Sequence, residues 1–298
     1  MTRRTLIADG LLLLTTLIWG VAFAVVKDTL DSVPPGLLVM TRHLTAALIT
    51  AVLFRKHLRG LRLADVRRGA LVGFLLAMAY LVQTEGLVLT TAGKNAFLTT
   101  TYVLFVPLAL RLFFGRRLGP RVLPAAALML LGIALLSLGG EQGGLNRGDA
   151  LTLVCGLFYA AHIIAVERCQ RRTDLYALIV LQFAFCALTA LFWHLAFERG
   201  MPVRLDRGAV LGIGYLAVFS TTIGMSLQNL GQSMAPGEHA ALILSMESVF
   251  GALSGVVILG ERITPAMGAG FAFIFLALVL CETGTVHPRK EPVKEGGR

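Results

Sequence analysis

Glu247 stands in the middle of a long apolar run, where a carboxylate can hold a proton, bind a cationic amine, or sit hydrogen-bonded as a packing residue. Glu85 ends one such run and Lys94 opens the next, with only a short turn of about Thr90–Gly93 between them. The two can meet at similar depth. They form either a structural ion pair or a site where Lys94 receives a carboxylate once Glu85 lets it go. Arg42 lies about eight residues into its own run and either packs or touches a ligand. Tyr159 and His162 are spaced i, i+3 and share a helical face. An accessible imidazole titrates near neutrality; a buried one bridges helices. Trp19, Tyr80, Tyr102 and Tyr215 sit inside apolar runs rather than at their ends. A pocket of such rings would take apolar or aromatic ligands, and plain core packing is the alternative. Gln228-Asn229 and Gln182 can bind a ligand or join helices.

The elements that position these groups follow from composition. The 298 residues are 56% hydrophobic and only 15% charged, against about 25% charged in soluble domains. One water-soluble core cannot hide that much apolar surface, so the solvent for most of the chain is lipid. In that medium an ionisable side chain costs about 2.5–3.5 kcal/mol on insertion scales, and it faces the bundle interior rather than acyl chains. The net charge of +10 comes from arginines clustered between apolar runs, without a nucleic-acid-reading motif. They suit an anionic membrane surface and no nucleic acid. Four cysteines without paired spacing read as small hydrophobes, with no disulfide framework and no metal site.

Ten apolar stretches are long enough to cross the bilayer: 5–26, 34–54, 69–90, 92–113, 121–139, 148–167, 174–196, 207–229, 234–258 and 264–282. Continuous runs such as Leu11–Leu14 exclude the alternating strands of a membrane barrel, so the spans are helices. Arg3-Arg4 before the first run looks like a signal peptide. The run lacks a small-x-small cleavage site and continues to full spanning length, so it reads as a retained first helix. Residues 285–298, rich in Lys, Glu, Gly and Pro, read as a disordered tail. With ten spans, 18 Lys and Arg fall on the side of the termini and 6 on the other. That asymmetry places both termini in the cytoplasm.

The second half echoes the first. Residues 92–120 laid on 237–265, an offset of 145, give six identities in 29 positions. Gly115, Arg117 and Pro120 fall on Gly260, Arg262 and Pro265 at an inter-helix break. Trp19 and Phe23 fall more faintly on Phe158 and His162, at an offset of 139. Five helices per half is an odd number, so the halves enter the membrane from opposite sides. Such inverted repeats are a signature of secondary transporters, with the substrate site at the midplane between halves.

These residues, taken together, resemble the drug/metabolite transporter superfamily, in particular its EamA-type exporters. The resemblance covers roughly 8–284. It is carried by Trp19-Gly20-Val-Ala-Phe23, Arg42, Thr91-Ala-Gly-Lys94-Asn-Ala-Phe97 leading to Val106-Pro107, and Gly148-Asp149. It continues in Ala240-Ala-Leu-Ile-Leu-Ser-Met-Glu247 and Leu259-Gly-Glu261-Arg262. Two positions depart from it: Ser248 stands where many relatives have proline, and Phe158-Tyr159 replaces the first helix's Trp-Gly pair. The first departure suggests that the ninth span is straighter than the fourth, which keeps Pro107.

The resemblance implies an all-α membrane protein of ten transmembrane helices in two inverted five-helix repeats, 1–140 and 141–284. It also implies a central cavity, an inner-membrane location, and export of an amino acid or related small metabolite by alternating access. The expected substrate contacts are Trp19, Tyr80, Lys94, Tyr102, Tyr159, His162 and Gln228, with Arg42 as a further contact. Glu247 and Glu85 are the candidates for sensing a proton or the substrate. Proton-coupled efflux of drugs or cations is an alternative, as is a membrane protein that does not transport. An intramembrane enzyme belongs to that second alternative too, although the sequence has neither H-E-x-x-H nor G-x-S-x-G, and no glycine loop precedes Lys-Ser/Thr. No cofactor is expected, and the oligomeric state is left open.

Overall fold

A backbone surrounded by hydrocarbon must satisfy its own N–H and C=O groups, and each long apolar run here does so as helix. The computed structural model describes residues 3–115, 119–138, 145–235 and 237–282. The expected tail at 285–298 and the basic residues Arg116, Arg117, Arg289, Lys290, Lys294 and Arg298 lie outside them. The order begins α1 (Arg3–Thr29), α2 (Pro35–Leu53), α3 (Leu63–Leu89), α4 (Ala92–Thr99), α5 (Tyr102–Phe114), α6 (Val122–Leu138), α7 (Arg147–Cys169) and α8 (Leu175–Phe197). It continues with α9 (Arg207–Tyr215), a π-helical stretch Leu216–Met225, α10 (Ser226–Gln232), α11 (Gly237–Ser245), α12 (Glu247–Leu259) and α13 (Pro265–Glu282). Among the described residues there is no strand. Eight helical segments are long and apolar enough to cross a membrane, and shorter apolar helices occupy Pro124–Leu135 and Pro265–Ala277.

Local chemistry sets the boundaries. Pro35 opens α2, where its missing N–H costs nothing. Asn146 and Asp149 form a reciprocal capping box at the start of α7. Asp174 and Asp206 cap α8 and α9. Gly115 and Gly260 end α5 and α12 at φ 65° and 69°, a left-handed conformation that spares glycine the Cβ penalty.

Two rods are broken in mid-course. α4 gives way to α5 at Thr100–Thr101, whose hydroxyls donate back to the carbonyls of Phe97 and Leu98. α11 gives way to α12 at Met246, beside Ser248, whose hydroxyl donates to the Ser245 carbonyl. The ninth span is thus interrupted as the fourth is, although it lacks the proline. A serine that back-bonds competes with the helix ladder as the threonines do, and no proline is needed.

The solvent logic of the molecule is inverted. Leu48, Leu112, Phe113, Phe192 and Val257 point outward, while Arg42, Lys94, Asp149, His162, Gln182, Gln228 and Glu247 are buried. Packing is reciprocal between the two halves of the chain. α2 lies against α8 and α6 against α13. α3 packs on α7 and α8, while the α9–α10 rod packs on α1 and α2. Small residues permit the close crossings: a Cβ on Gly20 would run into Phe250 where α1 meets α12.

Candidate functional site

The break in each interrupted rod places a polar group at the centre. Tyr102 is the first residue of α5 and Glu247 the first of α12. The Tyr102 hydroxyl donates to Glu247 Oε1 at 3.3 Å, and both side chains are buried. From this pair an aromatic wall extends. The Tyr102 and Tyr159 rings are 6.2 Å apart, and those of Tyr159 and Tyr80 are 5.7 Å apart, edge to face. The Tyr159 hydroxyl donates to Gln83 Oε1 at 2.8 Å, and the Gln83 amide donates to Thr99 at 3.0 Å. The wall is fixed by α3, α4, α5 and α7 together.

At its far end the Arg42 guanidinium lies 4.8 Å from the Tyr80 ring centroid. Arg42 Nε donates to Thr221 Oγ1 at 2.6 Å and Nη2 to Ser220 Oγ at 2.8 Å. The Trp19 indole donates to the Ser220 carbonyl at 2.9 Å. Both Arg42 and Trp19 thus hang on the π-helical stretch. Its wider turn is uncommon and recurs where a helix serves a site. These groups line a cavity of ≈ 40 Å³. Trp19, Arg42, Tyr80, Tyr102, Tyr159, Gln228 and Glu247 all line it. Its wall is mostly apolar, with one buried cation and one buried carboxylate.

Three expected site residues are placed elsewhere. Lys94 Nζ meets Asp149 Oδ2 at 2.5 Å, and Asp149 also accepts from Thr90 Oγ1 at 2.7 Å. Lys94 is therefore paired across α4 and α7, and Glu85 is not its partner. Glu85 is half-buried on α3 and does not line the cavity. His162 is fully buried and bonds Gln182 on α8 at 3.1 Å; Ile163, four residues beyond Tyr159, lines the cavity instead. The shared face of Tyr159 and His162 is wide enough to point one at the cavity and the other at a neighbouring helix.

The sequence reading missed Ser220, Thr221 and Gln83. A run of three hydroxyls, Ser220-Thr-Thr222, inside an apolar span was the available signal. Among the described residues no cluster of three His, Cys, Asp or Glu side chains could hold a metal ion.

Similarity to known proteins is chain-wide. The model of the EamA-like transporter family matches residues 6–138 and again 146–283. An uncharacterized transporter of Archaeoglobus fulgidus is 34% identical over 93% of this chain and 86% of its own length. A probable amino-acid metabolite efflux pump of Salmonella typhimurium is 26% identical over 91% of this chain and 94% of its own. The threonine/homoserine exporter of Escherichia coli K12 is 28% identical over 55% of this chain and 56% of its own. A solved crystal structure superposes with a TM-score of 0.67 at 18% identity, covering 93% of this chain and 96% of that one, and shares the fold. With an aromatic cavity among apolar helices and a family model matched twice along one chain, the protein is a multi-pass membrane protein that belongs to the EamA-like transporter family.

Proposed function

We propose that the chain is a secondary transporter exporting a small amino-acid-like metabolite by alternating access, with the cavity between Arg42 and Glu247 as its substrate site. The observation that carries this reading is a cavity between the helices that holds a buried guanidinium and a buried carboxyl group not paired with each other. Charges are kept in such a place for something that passes through it. The names of the Salmonella and Escherichia relatives support the substrate class.

The mechanism asks for ten spans in two inverted halves, 1–140 and 141–284. Tyr102 and Glu247 are 145 residues apart, the offset of the sequence repeat, and so are Tyr80 and Met225, which touch at 3.7 Å. A residue that touches its own counterpart lies beside a two-fold axis, as at an isologous interface. The reciprocal packing of the halves supports the same axis. Five helices per half lay it in the membrane plane, which gives two near-mirror packings, one open to each side. The 18-to-6 split of basic residues puts both termini in the cytoplasm of an inner membrane. In this scheme Glu247 takes up a proton or the cationic end of the substrate. Either one, by binding the two packings unequally, shifts their populations.

Counterflow in proteoliposomes tests the reading. Labelled L-threonine or L-phenylalanine is expected to enter against cold internal substrate, and Glu247→Gln is expected to lower uptake at least tenfold with the fold intact. An absence of counterflow by the wild type would remove transport. Undiminished uptake by Glu247→Gln at every pH would remove the carboxylate's role. Efflux of organic cations is the second reading, favoured by Glu247 set among tyrosine rings. Exchange of a labelled organic cation in preference to either amino acid would select it.

A further inference from the structure

Among the described residues, the buried lysine and the buried arginine are treated differently. Lys94 has its carboxylate, Asp149. Arg42, 2% exposed, has hydroxyl oxygens and an aromatic face as its contacts, and no carboxylate forms an ion pair with it. A guanidinium taken out of water is costly unless an anion compensates it, and neutral hydroxyls compensate only in part. The anion that Arg42 lacks has one direction to come from, because the side chain lines the cavity. Across that cavity stands Glu247, hydrogen-bonded to Tyr102 rather than paired with Arg42. Beside them, the Gln228 amide is 3% exposed, donates to Gln232 at 3.2 Å, and has an oxygen without a hydrogen-bond partner.

Resting on the transport reading above, we infer that Arg42 is the anchor for the carboxylate of the cargo, in the place the sequence suggested for Lys94. Thr221 and Ser220 hold Nε and Nη2, which fixes the plane of the guanidinium. A planar fork of this kind suits a carboxylate, whose two oxygens accept parallel N–H bonds. The Glu247 end offers a hydrogen-bonding carboxyl group rather than a second cation. The cargo class is therefore a monocarboxylate whose other end is a cationic amine or a neutral polar group, and Gln228 Oε1 is an acceptor for that end. Amines without a carboxylate leave the guanidinium unpaired. The anchor also has a mechanical consequence. Its two hydroxyl partners belong to the π-helical stretch, so a carboxylate drawing on the guanidinium is felt in the α9–α10 rod that packs on α1 and α2.

The test compares matched ligands on the full chain in nanodiscs by isothermal titration: L-threonine and L-phenylalanine, each against its methyl ester. Wild type is expected to prefer each acid about 10- to 100-fold, the range for a charge-assisted hydrogen-bonded pair. Arg42→Gln is expected to abolish the preference while still binding the esters, and Arg42→Lys to restore part of it. Should the Arg42 variants fail to fold, Ser220→Ala/Thr221→Val leaves the cation in place, loosens its fork, and is expected to reduce the preference severalfold. Equal binding of acid and ester by the wild type would overturn the anchor. So would a preference that survives Arg42→Gln, or a wild type that takes neither acid. Counterflow reads the transport proposal separately: acid preference without counterflow would sink transport and keep the anchor, and counterflow without acid preference would do the reverse.

Discussion

Replacing Lys94 separates a structural cation from a ligand-binding one. Its ammonium lies 2.5 Å from Asp149 Oδ2, with side-chain exposures of 6% and 0%. A surface pair of this kind would be worth about 0–1 kcal/mol. Here Lys94→Met would leave a carboxylate with no water and no cation, supported by Thr90 Oγ1 at 2.7 Å and the Asn146 N–H at 3.2 Å. Two hydrogen bonds do not replace a counter-ion, so the expected loss is that of a broken buried pair, about 3–5 kcal/mol. In the folded-to-unfolded ratio that is roughly two to four orders of magnitude. Asp149→Asn in the same chain removes the uncompensated charge but keeps the side chain's size and an acceptor for Thr90. The double variant is expected to recover at least half of the loss, a positive coupling of at least about 1.5 kcal/mol. Equilibrium unfolding in mixed micelles measures all four chains of the cycle, and binding of L-threonine is measured beside it. The reasoning fails if Lys94→Met unfolds within 1 kcal/mol of wild type while its ligand affinity drops tenfold. Lys94 would then be receiving the substrate.

Two further outcomes are expected. Glu261 accepts the Ala92 and Gly93 N–H groups at 2.6 and 3.0 Å, tying the start of α4 to the α12–α13 loop. Glu261→Ala removes two charge-assisted bonds at a helix N-terminus. With the native cysteines replaced, a reporter Thr84→Cys in the cavity wall is expected to react with an impermeant maleimide about 10- to 100-fold faster; an unchanged rate would show that the tie does not restrain opening. Asp206 is held below its ordinary value of 3.8 by the Ala209 N–H and then by the Ser32 hydroxyl. Because the folded state lowers this carboxyl, its contribution is complete above that value and is lost as pH falls through the lower, folded one. Amide exchange at Ala209, corrected for intrinsic rate, is therefore expected to be flat from pH 5 to 8 and to rise only in stronger acid. A rise already at pH 6 would contradict the assignment.

Much of the site was legible from residue types alone. Glu247, Arg42, Trp19, Tyr80, Tyr102, Tyr159 and Gln228 are polar or aromatic groups inside apolar spans, a pattern that fits ligand contact or core packing, and all seven line the cavity. Lys94 and His162 met the same criterion and are engaged elsewhere, with Asp149 and Gln182. A span's residue type says that a group is turned inward; it does not say which inward surface receives it. Asp149 itself looked like a helix-end residue, and it is both that and the partner of Lys94.

The sequence alone determined the helical character of the chain, its lipid solvent and the positions of many helix ends. Those follow from hydrogen-bond satisfaction, apolar content, and prolines, glycines and capping side chains acting within a few residues. The pairing of Lys94 with Asp149 and the seating of Arg42 and Trp19 on the π-helical stretch were decided by the tertiary structure. Each depends on contacts between residues tens to hundreds of positions apart, and no local periodicity encodes such a meeting.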